Sequence, residues 1–287
     1  MPEDVFTLRM PAGGPRSCAV FSSPHSGSDY APAFLSASPL TPLQLRSSED
    51  AFVDELYEAV PDFGAPLLSA RIPRACIDLN RAPEDLDPAL IAGASRRFLN
   101  ARVAAGLGVI PRVVGEGRQI IVGKLSLAEA QRRIATCWHP YHNRLRTLLA
   151  TARVAFGSAI LFDCHSMPHD ALNAAPLVRG RRPDVVLGDR FGVSCDRVII
   201  DAAAEAFTLQ GFTVARNAPF AGGYITQTYG RPPSGTHALQ IEIDRALYMD
   251  EIRVERRPDF PEVAARLSRV AAALAGLGSR AVPMAAE

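Results

Sequence analysis

Two histidines of this chain stand in matching contexts. Ala19-Val20-Phe21 runs into Ser22-Ser23-Pro24-His25-Ser26-Gly27, and Ala159-Ile160-Leu161-Phe162 runs into Asp163-Cys164-His165-Ser166. Each is a short apolar run of strand character that ends in an imidazole and small, turn-forming residues. In open α/β sheets ligands bind just outside the carboxyl ends of the strands. Two imidazoles delivered there are what a metal site needs, although spacing alone leaves a shared ion and two unrelated rings equally open. Cys164 reads either as a small strand-end hydrophobe or as a thiol nucleophile. Asp163 reads either as a carboxylate that orients an imidazole or as a residue acting through its backbone.

Other residue groups carry possible chemistry. The segment from Arg71 to Arg81 looks like a buried strand but holds arginines and ends in Asn80-Arg81. An amide beside a guanidinium makes a donor-rich clamp for a carboxylate; the alternative is an Arg81 paired at the surface with Glu84 or Asp85. Alternation over Leu239–Asp244 puts Leu239, Ile241 and Ile243 on one face and Gln240, Glu242 and Asp244 on the other. In a central strand Glu242 would be costly unless paired or functional, and such surroundings raise a carboxyl pKa toward that of a general base. In an edge strand the same face is merely solvated. His139 and His142 lie three apart on a predicted helix, either a metal pair or two independently satisfied rings. Gly222-Gly223 before Tyr224 permits close backbone approach to a ligand, and equally makes an ordinary loop.

These groups need a scaffold. With 287 residues, 48% hydrophobic and 21% charged, and a formal net charge of +1, the chain has the composition of a soluble globular protein. No basic stripe or acidic tail points to nucleic acid or an anionic membrane, and no apolar run reaches spanning length. The first residues lack a charged-then-apolar leader, so a cytoplasmic location is the expectation. Five cysteines without C-x-x-C spacing suggest reduced, buried thiols. Strands are expected at 18–23, 67–79, 159–165, 184–188, 212–215 and 238–243. Helices are expected at 51–57, 126–156 (kinked at His139-Pro140), 197–209 and 261–277. Residues 82–124 read as a long excursion that serves as a lid or substrate loop. Strands alternating with helices predict an α/β fold with a mostly parallel sheet covered on both faces. A flexible or edge segment at 1–15 and a single domain over 16–287 complete the expected organisation.

Taken together, the chain resembles the N-formylglutamate amidohydrolase family. The matching segments are Pro24–Gly27, Ser48–Tyr57, Ile77–Arg81, Trp138–His142, Phe162–Ser166, Gly222–Thr226 with Tyr229–Pro232, and Ala238–Glu242. They stand in family order across roughly residues 20–255. The resemblance implies a three-layer α/β/α fold with a mostly parallel or mixed sheet, hydrolase-like and related to zinc carboxypeptidases and aspartoacylase-type deacylases. It implies one divalent ion, zinc, held by His25 and His165. In carboxypeptidases a Glu three residues after the first His completes the set, but Ser28 stands there. Asp50 takes that role in this reading, with Asp29 and Glu49 as alternatives. Glu242 would be the general base, Arg74 the group that stabilises the tetrahedral oxyanion, Asn80 and Arg81 the holders of a substrate carboxylate, and Tyr224 a residue closing the pocket. The implied substrate is a small acidic N-acyl amino acid, N-formyl-L-glutamate first. A deacylase or carboxypeptidase-like hydrolase of another acidic amide, or a metal-free binding protein on this scaffold, are the competing readings.

Overall fold

The computed structural model describes residues 4–95, 97 and 100–278. Seven strands form one sheet: β1 (Phe6–Arg9), β2 (Ala19–Ser23), β3 (Leu67–Ala70), β4 (Ala159–Met167), β5 (Val185–Gly188), β6 (Val214–Arg216) and β7 (Thr236–Asp244). Their order across the sheet is β1-β3-β2-β4-β7-β5-β6. The four central strands β3, β2, β4 and β7 are mutually parallel. β1 runs antiparallel at one edge, and the β5-β6 pair runs antiparallel to β7 at the other. β2, β3, β4 and β7 are buried at every position, as expected of strands covered on both faces.

Helices α1 (Leu127–Arg133), α2 (His139–Phe156), α3 (Arg197–Leu209), α4 (Tyr224–Tyr229) and α5 (Phe260–Leu277) supply the main cover. α2 lies over the face bearing Ser22, where the Tyr141 hydroxyl is 2.8 Å from Ser22 Oγ. On the opposite face Phe21 stacks between Phe162 and Tyr57. α3 and α5 are amphipathic, burying Ile200, Ala203, Ala206 and Phe207 in one and Val263, Leu267, Val270 and Leu274 in the other. The result is a three-layer α/β/α arrangement with a mixed, mostly parallel sheet. Among the described residues no helix is long and apolar enough to cross a membrane.

Several elements depart from the sequence reading, each for a local reason. The strand expected over 67–79 stops at Ala70, because the chain turns at Pro73, which has no N–H for a ladder, and residues 71–81 wrap beneath the imidazoles instead. The backbone of Gly27 approaches this turn so closely that a Cβ would lie 2.3 Å from the Ile72 carbonyl oxygen. The helix expected at 51–57 shrinks to Val53–Leu56, since Phe52 takes a left-handed conformation at φ 66°. The long helix expected over 126–156 has Pro140 in the first turn of its α-helical part, His139–Phe156. It widens just before, in a π turn over Ile134–Trp138, where the His139 N–H reaches the Ile134 carbonyl. β4 continues past His165 to Met167. Within 1–15, Phe6–Arg9 is an edge strand, the second of the two readings given to that segment.

The excursion at 82–124 is packed, not open. Leu90, Ile91, Val109 and Ile110 join the main core, and Ile91–Ala92 pairs with Leu125–Ser126. It rises over the carboxyl ends of the parallel strands.

Candidate metal centre and active site

All the chemistry gathers at that one edge. His25 lies two residues beyond β2, His165 near the end of β4, Glu242 near the end of β7, and Asp78, Asn80 and Arg81 on the segment leaving β3. Asp50 arrives from the connection after β2 and is tied back by its own N–H, which donates to the His25 carbonyl at 3.0 Å. One ligand atom from each of His25, Asp50 and His165 lies within 4.8 Å of the others, and all three residues are buried.

The hydrogen bonds around these groups define their roles. His25 Nε2 is 2.7 Å from Asp78 Oδ1, while His25 Nδ1 is buried without a hydrogen-bond partner, 3.4 Å from Asp50 Oδ2. His165 Nε2 is 3.0 Å from Asp163 Oδ2, and His165 Nδ1 is 2.8 Å from the same Asp50 Oδ2. Asp163 and His165 are two apart on a strand and therefore share a face, which makes Asp163 a carboxylate that orients the ring. His25 Nε2 faces the Asp78 carboxylate and His165 Nε2 lies beside Asp163 Oδ2 and the Asn80 amide, so that the two Nδ1 atoms and Asp50 Oδ2 converge. Such a triad could hold a metal ion, and carboxylates beside the far nitrogens are the usual partners of metal-bound histidines. Burial alone would lower the His165 pKa, but the neighbouring Asp163 charge and the bonds to Asp163 and Asp50 hold it well above the ordinary value. Burial works against the ionised Asp50, yet the adjoining His165 and His25 rings keep its pKa well below the usual range. Asp50 Oδ1 accepts from Arg245 Nη2 at 3.0 Å, which fixes the carboxylate plane.

The alternatives for the carboxylate are engaged elsewhere. Glu49 turns away to accept from the Tyr30 hydroxyl at 2.7 Å and from Arg46. Asp29 pairs with Arg71 at 2.8 Å.

Glu242 stands beside His165 in register across β4 and β7, and its Oε1 accepts from Gln240 at 2.7 Å. Its pKa is pushed up to about 7 by burial first, with the Asp50 charge adding and His165, Arg74 and Arg245 opposing. Arg74 donates through Nε to Asp78 Oδ2 at 2.9 Å. Burial would weaken its charge, but Asp78, Asp50 and Glu242 raise its pKa further.

Asn80, expected to hold a substrate carboxylate, lines the cavity with its amide engaged within the protein. Its Nδ2 lies 3.3 Å from Asp163 Oδ2 and 3.0 Å from His165 Nε2, and its Oδ1 accepts from the Ile225 N–H at 2.7 Å. Only glycine fits at 223, where a Cβ would be 2.6 Å from Asn80 Nδ2. Arg81 donates through Nε to the Leu107 carbonyl and through Nη1 to the Asn80 carbonyl. Tyr224 is not among the residues lining the cavity; its ring packs against Trp138 and His142, and Gly222 and Gly223 line the wall instead. Nor do His139 and His142 form a metal pair. His142 is fully buried, donates through Nε2 to the Leu79 carbonyl at 2.8 Å and accepts at Nδ1 from the Tyr229 hydroxyl at 2.8 Å. Burial lowers its pKa to about 3, so the ring is neutral. Trp138 Nε1 holds the Arg81 carbonyl at 3.0 Å, and Arg133 Nη1 the Cys76 carbonyl at 3.2 Å. Cys164 is wholly buried, and burial with the Asp163 charge raises its thiol pKa far above neutrality, which rules out the nucleophile reading.

The cavity has a volume of about 570 Å³ and is lined by His25, Asp50, His165, Glu242 and four arginines: Arg74, Arg81, Arg102 and Arg245. Asp78, Arg102 and Arg245 were not singled out from the sequence. Asp78 carried one usable signal, an acidic residue inside an apolar run.

The N-formylglutamate amidohydrolase family model matches residues 17–249. The chain is 32% identical to an N-formylglutamate deformylase of Pseudomonas aeruginosa over 241 residues, 81% of this chain and 82% of that one. It is 35% identical to an N-formylglutamate deformylase of Pseudomonas putida over 212 residues, 70% and 71% of the two chains. The crystal structure of an N-formylglutamate amidohydrolase from Ralstonia eutropha JMP134 superposes with a TM-score of 0.89 at 37% identity, covering 97% of this chain and 99% of that one. A gene product of Agrobacterium tumefaciens shares the fold at a TM-score of 0.64 and 18% identity, covering 96% of each chain.

Proposed function

Because the chain belongs to the N-formylglutamate amidohydrolase family, we propose that it hydrolyses the amide of N-formyl-L-glutamate to formate and L-glutamate, with one zinc ion held by His25, Asp50 and His165. The observation that carries the reading is the convergence of two imidazole Nδ1 atoms and one carboxylate oxygen beside Glu242 in a cavity rich in arginine. When bound, such an ion supplies Lewis acidity that polarises a carbonyl and acidifies water.

The residues of the chain account for the rest. Glu242 takes a proton from the attacking water at Oε2, the oxygen that Gln240 leaves free, and delivers it to the departing amine nitrogen as the C–N bond breaks. The water oxygen ends in formate. Arg74, at the cavity wall with its Nε fixed on Asp78, stabilises the negative charge that develops on the formyl oxygen. Arg81 holds a substrate carboxylate with the edge of its guanidinium not turned to backbone. Asp78 and Asp163 fix the ring tautomers, and Asn80 holds Asp163, His165 and the 223–225 turn in one cluster.

The test is steady-state kinetics across N-formyl, N-acetyl and N-succinyl amino acids, joined to metal analysis of the purified protein. Fastest turnover of N-formylglutamate with about one zinc per chain is expected. Turnover of N-formylglutamate no faster than the others would overturn the substrate. A protein free of metal and inactive after zinc addition would overturn the mechanism.

A further inference from the structure

Of the four arginines in the cavity, three pair with carboxylates of the site: Arg74 with Asp78 at 2.9 Å, Arg245 with Asp50 at 3.0 Å and, more loosely, Arg81 with Asp78 at 4.0 Å. Arg81 uses Nε and Nη1 on backbone carbonyls, and its Nη2 makes no hydrogen bond among the described residues. Arg102 differs from all three. It comes from the excursion, in the short helix Ala101–Ala104, is exposed, and its side chain makes no hydrogen bond or ion pair among the described residues.

Its position is nevertheless fixed. Asn100 caps the helix through Oδ1, which accepts from the Val103 N–H at 3.0 Å, and Val103 is fully buried. The Leu107 N–H donates to the Arg102 carbonyl at 2.8 Å, and the Leu107 carbonyl is the one that Arg81 Nε holds at 3.1 Å. Two hydrogen bonds through Leu107 therefore link the two arginines on one wall. Burial lowers the Arg81 pKa, and although Asp78 opposes this, the charges of Arg74 and Arg102 push the same way as burial, as expected of like charges awaiting an anion. Exposure grows along the wall: the metal cluster is buried, Arg81 is 9% exposed, and Arg102 is open to solvent.

A dicarboxylic N-acyl amino acid has the matching layout. Its α-carboxylate sits on the carbon next to the scissile nitrogen, and its side-chain carboxylate lies three carbons further out. We infer that Arg102 binds the side-chain carboxylate and sets the preference for an acidic over an uncharged amino acid, with Arg81 holding the α-carboxylate. This rests on the amidohydrolase reading above and extends it to the choice of amino acid.

The experiment compares N-formyl-L-glutamate with N-formyl-L-glutamine, which keeps shape and α-carboxylate but lacks the second charge, in the wild type, Arg102→Gln and Arg81→Gln. The ratio of the two kcat/KM values should fall by roughly 10- to 100-fold in Arg102→Gln, the loss of one charge-assisted contact. In Arg81→Gln both substrates should suffer alike, and Arg102→Lys should recover part of the preference. A wild type without preference for the acidic substrate, or an Arg102→Gln ratio equal to that of wild type, overturns the inference. Calorimetric binding of L-glutamate and L-glutamine to the zinc-loaded protein keeps the two readings apart. If N-formylglutamate is not turned over, the amidohydrolase reading fails. Glutamate binding that still exceeds glutamine binding and depends on Arg102 would then uphold the subsite; equal binding would remove it.

Discussion

Asp78 offers the sharpest test of the site because it touches neither the proposed ion nor the substrate. Its Oδ1 accepts from His25 Nε2 at 2.7 Å and from the Asn80 N–H at 2.8 Å, and its Oδ2 accepts from Arg74 Nε at 2.9 Å. Three donors converge on two acceptor oxygens. Asp78→Asn keeps the shape but leaves one acceptor and adds one donor. If the amide oxygen stays with His25, the new NH₂ faces the Arg74 guanidinium. If the amide flips, the NH₂ faces His25 Nε2, drives the ring to its other tautomer and puts a proton on Nδ1, pointing into the ligand cluster. The hold on His25 is weakened in the first case and reversed in the second, while His25, Asp50 and His165 remain. Outer partners of this kind are worth about 10- to 100-fold in metal affinity, or roughly 1.4–2.7 kcal/mol. Loss of the charge-assisted bond to Arg74 costs about 1.5–3 kcal/mol of stability, a Tm drop of roughly 2–5 °C. Competition for zinc against a chelator of known affinity, with thermal unfolding of the metal-free protein alongside, measures both. Zinc affinity within about twofold of wild type would refute the orienting role. A loss as complete as that of Asp50→Ala would mean that Asp78 is itself a ligand.

Three further outcomes follow from the same geometry. Asp50→Ala should lose zinc and activity together, whereas Glu242→Gln should keep zinc and lose roughly 10²- to 10⁴-fold in kcat; a metal-loaded, active Asp50→Ala variant would sink the ligand assignment. Since burial raises Glu242 to about 7 and the base must be ionised, kcat/KM should climb with pH and level off near or below that value, a bound dication pulling the limb lower. A rate that falls between pH 5 and pH 7, or a Glu242→Gln variant with the same rising limb, contradicts the base assignment. Gly223→Ala should cut kcat/KM at least about tenfold and destabilise by about 1–3 kcal/mol, since the new methyl displaces the Asn80 amide; wild-type kinetics would show that Asn80 does not position the site.

Much of this arrangement is legible in the sequence, and the reasons are local. His25 and His165 announce themselves because an apolar strand stops at a polar residue, and Glu242 because alternation isolates it on one face. The helices at 197–209 and 260–277 follow from apolar spacing. Asp78 and Arg245 escaped notice because their partners come from distant segments: Asp78 meets His25, 53 residues away, and Arg245 meets Asp50, 195 residues away. The internal partners of Asn80 were hidden for the same reason. Its amide looks like a ligand beside Arg81, but Asp163 and the turn at Ile225 occupy it. The early end of β3 was hidden in an apolar stretch, Ala75–Leu79, that is buried beneath the site and not in the sheet.

The π turn at Ile134–Trp138 has a geometric consequence for the segment that carries Asp78. In an α-helix, residues five apart are turned about 140° from one another, so side chains at 133 and 138 would diverge. A turn closed five residues back returns them to nearly the same side. Trp138 and His142, four apart in ordinary helix, already share that side. One continuous rod thus grips the carbonyls of Cys76, Leu79 and Arg81 at three points, like a splint along the loop. The extra residue in the turn is what brings the first grip into line. The loop reaches the metal site already stiff, and its geometry is set before any ligand arrives.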